Sequence, residues 1–302
     1  VTVSGEQFVL RSGAYSCEIA SIGATLRSLR FDDRDLVAPF AADEIRPAFR
    51  GALLAPWPNR IVDGTYEFGG ELHKVPLTEP ARGNALHGLA AWLDFAATSV
   101  TASSVDLSAR IVAQDGYPFT VDLTVRFELD AAGLHSSVTA VNAGADAAPF
   151  GTGPHPYLVA GPGRVDDWTF ELPADRVLEV TPDRLIPTEL VAVTPEFDFR
   201  EPRIIGDVFI DHAFTGLGFG DDGRVVVRVT EPSGSGVEMS WAGDCPWVQV
   251  HTADRPDRPE ISRIGLAVEP MTCPPDAFNS GTDLIVLAPG QSSTAGWTIA
   301  AI

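Results

Sequence analysis

The sequence predicts an all-β protein, a large antiparallel sandwich or barrel built as one domain over residues 1–302. Three observations carry that expectation. Short segments alternate apolar and polar side chains, the period of a strand with one dry face. The stretches between them are dense in turn residues, with 28 Gly and 24 Pro in the chain, which leaves few windows for a long helix. No internal repeat, low-complexity tract or linker divides the chain.

Taken in order, the first strand signal is "AYSCEIA", residues 14–20. The clearest is "VDLTVRFEL", Val121 to Leu129, apolar at every odd position and polar at every even one. "DAAG" then supplies a turn and "LHSSVTAVN" the returning strand of a hairpin. "GFGDDG", Gly218 to Gly223, matches a dinucleotide-binding pattern. The strand "RVVVRVT" follows it where that fingerprint needs a helix N-terminus, so it reads as a hairpin turn. "PSGSGVE" lacks the full nucleophile elbow and reads as another turn before "VEMSW". "WVQVHT" and "LIVLAP" complete the series.

Composition narrows the function. Hydrophobic residues make up 45% of the 302, which marks a globular chain. Basic residues number 21 against 41 acidic, a net charge of −20, and Lys74 is the single lysine; such a surface repels nucleic acid and anionic membranes. No apolar run approaches the ~20 residues of a membrane helix, and "VTVSGEQFVL" has no signal-peptide pattern. Cys17, Cys245 and Cys273 are odd in number without CxxC spacing, which argues against a disulfide framework or zinc site and for a reducing, cytoplasmic setting. The six histidines form no local chelate, so neither metal nor cofactor is expected; His73 and His135 read as ordinary strand residues.

Three stretches carry candidate chemistry. "PWPNRIVDGTYEFGGELHKVPL" places Arg60 after a rigid Pro-Trp-Pro turn and leads into "GNALHG", where His87 precedes Gly88. In "GTGPHPYL", Pro154 and Pro156 fix the backbone on both sides of His155, which suits a positioned acid, base or ligand and equally a rigid corner. In "IGLAVEPMTCPPDAFN", an apolar run ends at Glu269 with Pro270 next. That is the place for a cleft carboxylate before a forced turn, or for a salt-bridged glutamate at a rim.

Together these stretches resemble the aldose 1-epimerase (galactose mutarotase) family. The Asn-Arg-Ile and Gly-x-Tyr-x-Phe-x-Gly run, the Asn-Ala-Leu-His-Gly loop, the Gly-x-x-His-Pro-Tyr segment and the Glu-Pro-x-x-x-Pro-Asp-Ala-x-Asn segment follow in the family's order over residues 56 to 279. The resemblance implies a large antiparallel β-supersandwich that interconverts the α and β anomers of free hexoses such as glucose or galactose. It implies His155 as general acid and Glu269 as general base, with Arg60 and His87 near the ring oxygen and anomeric centre. Asp211 in "FIDHAFTGL" would grip sugar hydroxyls, and Gln249 in "WVQVHT" would be a further binding position. The partner it implies is a small-molecule aldose. Leu89, His251 and Met271 depart from the family pattern beside the sugar, which bears on substrate preference more than on chemistry.

The chemistry needs no metal or covalent intermediate. A base takes the proton of the anomeric hydroxyl while an acid gives one to the ring oxygen. Glu269 would act ionised and His155 protonated, so a modest upward shift of both, that of His155 supplied by Asp211, would suit neutral pH. Trp57 or Trp247 offers a flat face for the sugar or else belongs to the core. Other readings are a hexose-6-phosphate mutarotase, which needs converging cations; a glycoside hydrolase using Asp211 with Glu269; and a sugar-binding protein without catalysis.

Overall fold

The structure, a computed structural model, describes residues 2–302. Its largest element is a nine-stranded antiparallel sheet in the order Ala96–Val100, Ser104–Ile111, Val121–Asp130, Gly133–Asn142, Ser292–Ala301, Gly236–Trp241, Val225–Thr230, Thr169–Glu171 and Arg203–Ile204. Its middle is the hairpin expected from alternation. Val121 pairs with Asn142 and Asp130 with Gly133, while Val121, Leu123, Val125, Phe127 and Leu129 all point inward. A six-stranded antiparallel sheet runs Tyr157–Leu158, Leu266–Met271, Trp247–His251, Asp211–Leu217, Ala174–Val180, Pro187–Ala192. A four-stranded sheet from Gln7–Ser12 to Arg34–Asp35 packs on the Val121–Asp130 strand, and short two-stranded ribbons close the gaps. The helical content is one turn of α-helix, Ala277–Ser280, and three short 3-10 turns among the described residues.

One apolar cluster reaches from Phe8 to Ile299 and takes side chains from both large sheets. Phe127, Val138, Met239 and Trp297 come from the nine-stranded sheet, and Val177, Phe214, Val248, Val250 and Val268 from the six-stranded one. The sheets therefore form a sandwich, and burial of each such side chain stabilises it by about 1.5–3 kcal/mol.

Two local expectations change. "GFGDDG" is not a hairpin turn. It carries the chain from Asp211–Leu217 in the six-stranded sheet to Val225–Thr230 in the nine-stranded one, whereas "PSGSGVE" does join the paired strands Val225–Thr230 and Gly236–Trp241. Nor does Pro270 force a turn. The strand runs on to Met271, with Pro270 opposite Val248, so Glu269 sits inside a central strand and not at its end. On the other flank Val268 N–H donates to Pro156 and Thr272 N–H to Thr152. The missing donor of Pro270 falls between them, beside a segment that is itself proline-rich, so the ladder tolerates it.

Candidate active site

The central strands of the six-stranded sheet have two differently coloured faces. Even-numbered Val248, Val250, Val268 and Phe214 enter the main core. Odd-numbered Glu269, Gln249, His251 and Asp211 share the opposite face, because Gln249 stands opposite Glu269 and Asp211 opposite His251. Small apolar clusters frame them: Ala267 with Ala38, Tyr157 and Ala253 two residues before Glu269, and Met271 with Trp247 and Ala213 two residues after it. A polar patch walled by packed alanines and aromatics is the floor of a cleft of about 180 Å³.

His155 enters from the edge. Gly153–Pro154 pairs with Leu53–Leu54, while Tyr157–Leu158 pairs with Leu266–Ala267. The two prolines thus bracket the point where the chain changes partner. The corner and the positioned imidazole are the same device. Both backbone groups of His155 are used, N–H to Ala52 and C=O from Gly51. Its ring lies nearly parallel to Tyr157 at 5.2 Å and to Phe49 at 6.4 Å between centroids. Nε2 then lies 3.3 Å from Glu269 Oε1, with Glu269 1% exposed and His155 4%. His155 Nδ1, Glu269 Oε2 and Gln249 Oε1 are buried with no partner among the described residues.

A third segment closes the cleft. Arg60 lies on the ribbon Arg60–Val62 with Asn84–Leu86. Its Nε and Nη2 donate to the two carboxylate oxygens of Glu79 at 2.8 and 3.0 Å, and Nη2 is 3.8 Å from Asp211 Oδ2. The short helix pins this ribbon: Asp276 N–H donates to Arg60 O, and Asp276 Oδ1 accepts from Val62 N–H. Asn279 in turn donates to Asp276 and to Thr65 O. The Pro-Asp-Ala-x-Asn run is therefore support for Arg60. His87 adopts the left-handed backbone with φ of 64° and its Nδ1 accepts Asn59 N–H at 3.2 Å. A neutral ring bonded in that way carries its proton on Nε2.

Burial dominates the electrostatics. It pushes His155 down to about 3 and Glu269 well above the usual carboxylate range. It also holds His87 and His251 below the ordinary imidazole value. The upward shift expected for His155 is reversed: Asp211 does pull it upward, but desolvation outweighs that pull. Asp211 stays below its ordinary value despite burial, because His251 and Arg60 face it.

All six residues singled out from the sequence, Arg60, His87, His155, Asp211, Gln249 and Glu269, line this one cleft. His251 lines it too, whereas Leu89 does not and Met271 lies in the apolar frame. Trp57 and Trp247 are core residues; the aromatic walls are Phe49, Tyr157 and Phe209. Glu79, Asn59 and Asp254 were not foreseen, since a lone carboxylate or amide in a loop has no periodic signal. His73 packs on Tyr66 and Phe119, and His135 pairs with Asp130, both away from the cleft. Among the described residues no group of three or more His, Cys, Asp or Glu side chains is arranged to hold a metal, and no helix is long and apolar enough to cross a membrane.

Comparison with known proteins gives a consistent result. A family profile described as aldose 1-epimerase matches residues 6–300. The uncharacterized protein YihR of Escherichia coli K12 is 37% identical over 290 residues, covering 95% of this chain and 91% of that one. Galactose mutarotase of Mus musculus is 29% identical over 229 residues, 70% of this chain and 65% of that one. Among solved structures, a GalM/aldose epimerase homologue from C. elegans superimposes with a TM-score of 0.86 at 20% identity, covering 98% of both chains. A putative aldose 1-epimerase from Escherichia coli K12 gives 0.84 at 22%, covering 98% of this chain and 99% of that one. The large antiparallel sandwich is thus the galactose mutarotase-like fold.

Proposed function

The chain belongs to the aldose 1-epimerase family, and on that premise we propose that it is a mutarotase for free aldohexoses such as glucose or galactose, using Glu269 as base and His155 as acid. The observation that carries this reading is the buried pair itself, Nε2 to Oε1 at 3.3 Å, in a cleft that Arg60, His87, Asp211, Gln249 and His251 also line. The pair holds one transferable proton. Written as Glu269 carboxylate and His155 imidazolium, it is ready to take the anomeric proton and give one to the ring oxygen. Written as carboxylic acid and neutral imidazole, it is the pair after ring opening. Burial favours the second form, as does Asp211 acting on Glu269, while Arg60 acting on Glu269 and Asp211 acting on His155 favour the first. Ring opening therefore leads to the protonation state that the dry site prefers, and reclosure on either face of the rotated aldehyde restores the other.

Negative charge developing on the ring oxygen needs donors nearby, and Arg60 with the Nε2–H of His87 supplies them. Arg60 and Arg82 are both tied to Glu79, which leaves Arg255 as the only guanidinium of the lining without a carboxylate partner among the described residues. That is a poor cradle for a phosphoester, so the free sugar is the substrate of choice. The buried, unpaired cysteines suit a reducing, cytoplasmic setting. Polarimetry of freshly dissolved α-glucose and α-galactose tests the reading. Wild type accelerates the approach to equilibrium, and His155→Ala and Glu269→Gln each lose about 10²–10⁴-fold. Acceleration that survives either substitution would refute the acid/base assignment; none with any free aldose, from folded protein, would refute the activity.

A further inference from the structure

We infer that His251 is a specificity-determining residue which, beside Asp211, reads a sugar hydroxyl on C3 or C4; this rests on the mutarotase reading above. The sheet register gives the distances. His251 is one strand over from Glu269 and two residues along, and Asp211 is one strand further. With strands ~4.8 Å apart and ~3.4 Å per residue, their Cα atoms lie about 8 and about 12 Å from that of Glu269. A pyranose whose C1 hydroxyl meets Glu269 turns its far side towards them. The ring hydroxyls farthest from C1 are those on C3 and C4.

The corner has open valences of the right kind. Asp211 Oδ1 accepts from Gln249 Nε2 at 2.7 Å. Its Oδ2 is 3.8 Å from Arg60 Nη2 and 3.8 Å from His251 Nδ1, both beyond hydrogen-bond range. His251 Nδ1 faces the Ile210 carbonyl at 3.4 Å, and Nε2 has no partner among the described residues. Burial keeps the ring neutral, so with its proton at Nδ1 it presents an acceptor at Nε2. A carboxylate oxygen and an imidazole nitrogen side by side match two neighbouring hydroxyl donors. Such contacts are equally strong before and during ring opening, so their loss is expected in KM and not in kcat.

The test measures kcat and KM for glucose, 3-deoxyglucose and 4-deoxyglucose with wild type, His251→Phe and His251→Gln, following anomer exchange by NMR. Wild type is expected to disfavour one of the deoxy sugars by about tenfold in kcat/KM. His251→Phe should abolish that preference through a raised KM for glucose, and His251→Gln, which keeps an acceptor, should restore much of it. A preference undiminished in His251→Phe would overturn the inference, as would equal treatment of all three sugars by wild type or a uniform fall in kcat for every sugar. Should His251→Phe fail to fold, His251→Leu, which likewise lacks an acceptor, takes its place by the same criteria. A wild type that accelerates none of the three would overturn the mutarotase reading and this inference together, whereas the other failures strike this inference alone.

Discussion

A histidine pushed down to about 3 and a carboxyl pushed well up, 3.3 Å apart, titrate as a pair and not as two separate groups. The pair gains its second proton only in strong acid and loses its single proton only well above the ordinary carboxylate value. His87 and His251 are also held down by burial, so neither gives the cleft a titration near the value of free imidazole. The expected profile of kcat/KM therefore shows no inflection at about 4.3, where a solvated Glu269 would titrate, and changes only where the pair loses its proton, well above that value. A rate profile with an inflection at about 4.3 would mean that Glu269 titrates as if solvated, and would contradict its burial. Arg60 offers a second check at this scale. Its fork grips both oxygens of Glu79, which a lysine cannot do. Arg60→Lys should cost about 10-fold to 10³-fold in kcat/KM, read by polarimetry, while Arg82→Ala at the rim costs far less.

Elements place these groups, and some of their placement is visible in the sequence. The alternation of "VDLTVRFEL" and the shortness of "WVQVHT" gave the strands, because period two and turn punctuation are local properties. The crossover at "GFGDDG" was not visible, since a turn that joins two sheets has the same residues as one that joins two neighbours. The place of Pro270 inside a strand is hidden for a related reason: only the neighbouring proline-rich segment explains why the ladder needs no donor there. All six predicted residues did reach the cleft, through ordered motifs, but Glu79 and Asn59 lack any such pattern. The His87 loop shows how tightly an element can hold a side chain. His87 and Gly88 are both left-handed, and a Cβ on Gly88 would lie 2.2 Å from the Ala55 carbonyl oxygen. Gly88→Ala must therefore move the loop or the Ala55 backbone. It is expected to destabilise the fold by about 1–3 kcal/mol in urea titration and to lower activity by shifting His87. Gly69→Ala, also left-handed yet facing open space, should lower stability without loss of kcat. Equal loss of kcat in both variants would show that loop strain alone, and not the position of His87, sets the effect.

At the scale of the whole molecule, the cleft is built at a cost in acid stability. His87, His155, His212 and His251 all have folded-state values below the ordinary imidazole, with burial the leading cause. Below about pH 6.5 the unfolded chain binds protons at these positions that the folded chain refuses, so stability falls as the pH falls. Glu269 has the opposite sign: its folded value is raised, so between the ordinary carboxylate value and its own it keeps a proton that the unfolded chain has lost, and stability falls as pH rises. Four histidines act against two raised carboxyls, Glu269 and Asp276, in the window from about 6.5 down to about 4.5, and the histidines win. Urea unfolding is expected to show stability declining steadily across that window. Each fully shifted histidine contributes about 1.4 kcal/mol per pH unit, and His155, pushed to about 3, remains neutral through all of it. His155→Phe should therefore lessen the slope by about one proton's worth, while Glu269→Gln, which removes an opposing group, should steepen it by a similar amount. A slope unchanged in both variants would mean that neither side chain is as desolvated as its burial makes it, and that the pair is not held in its neutral form.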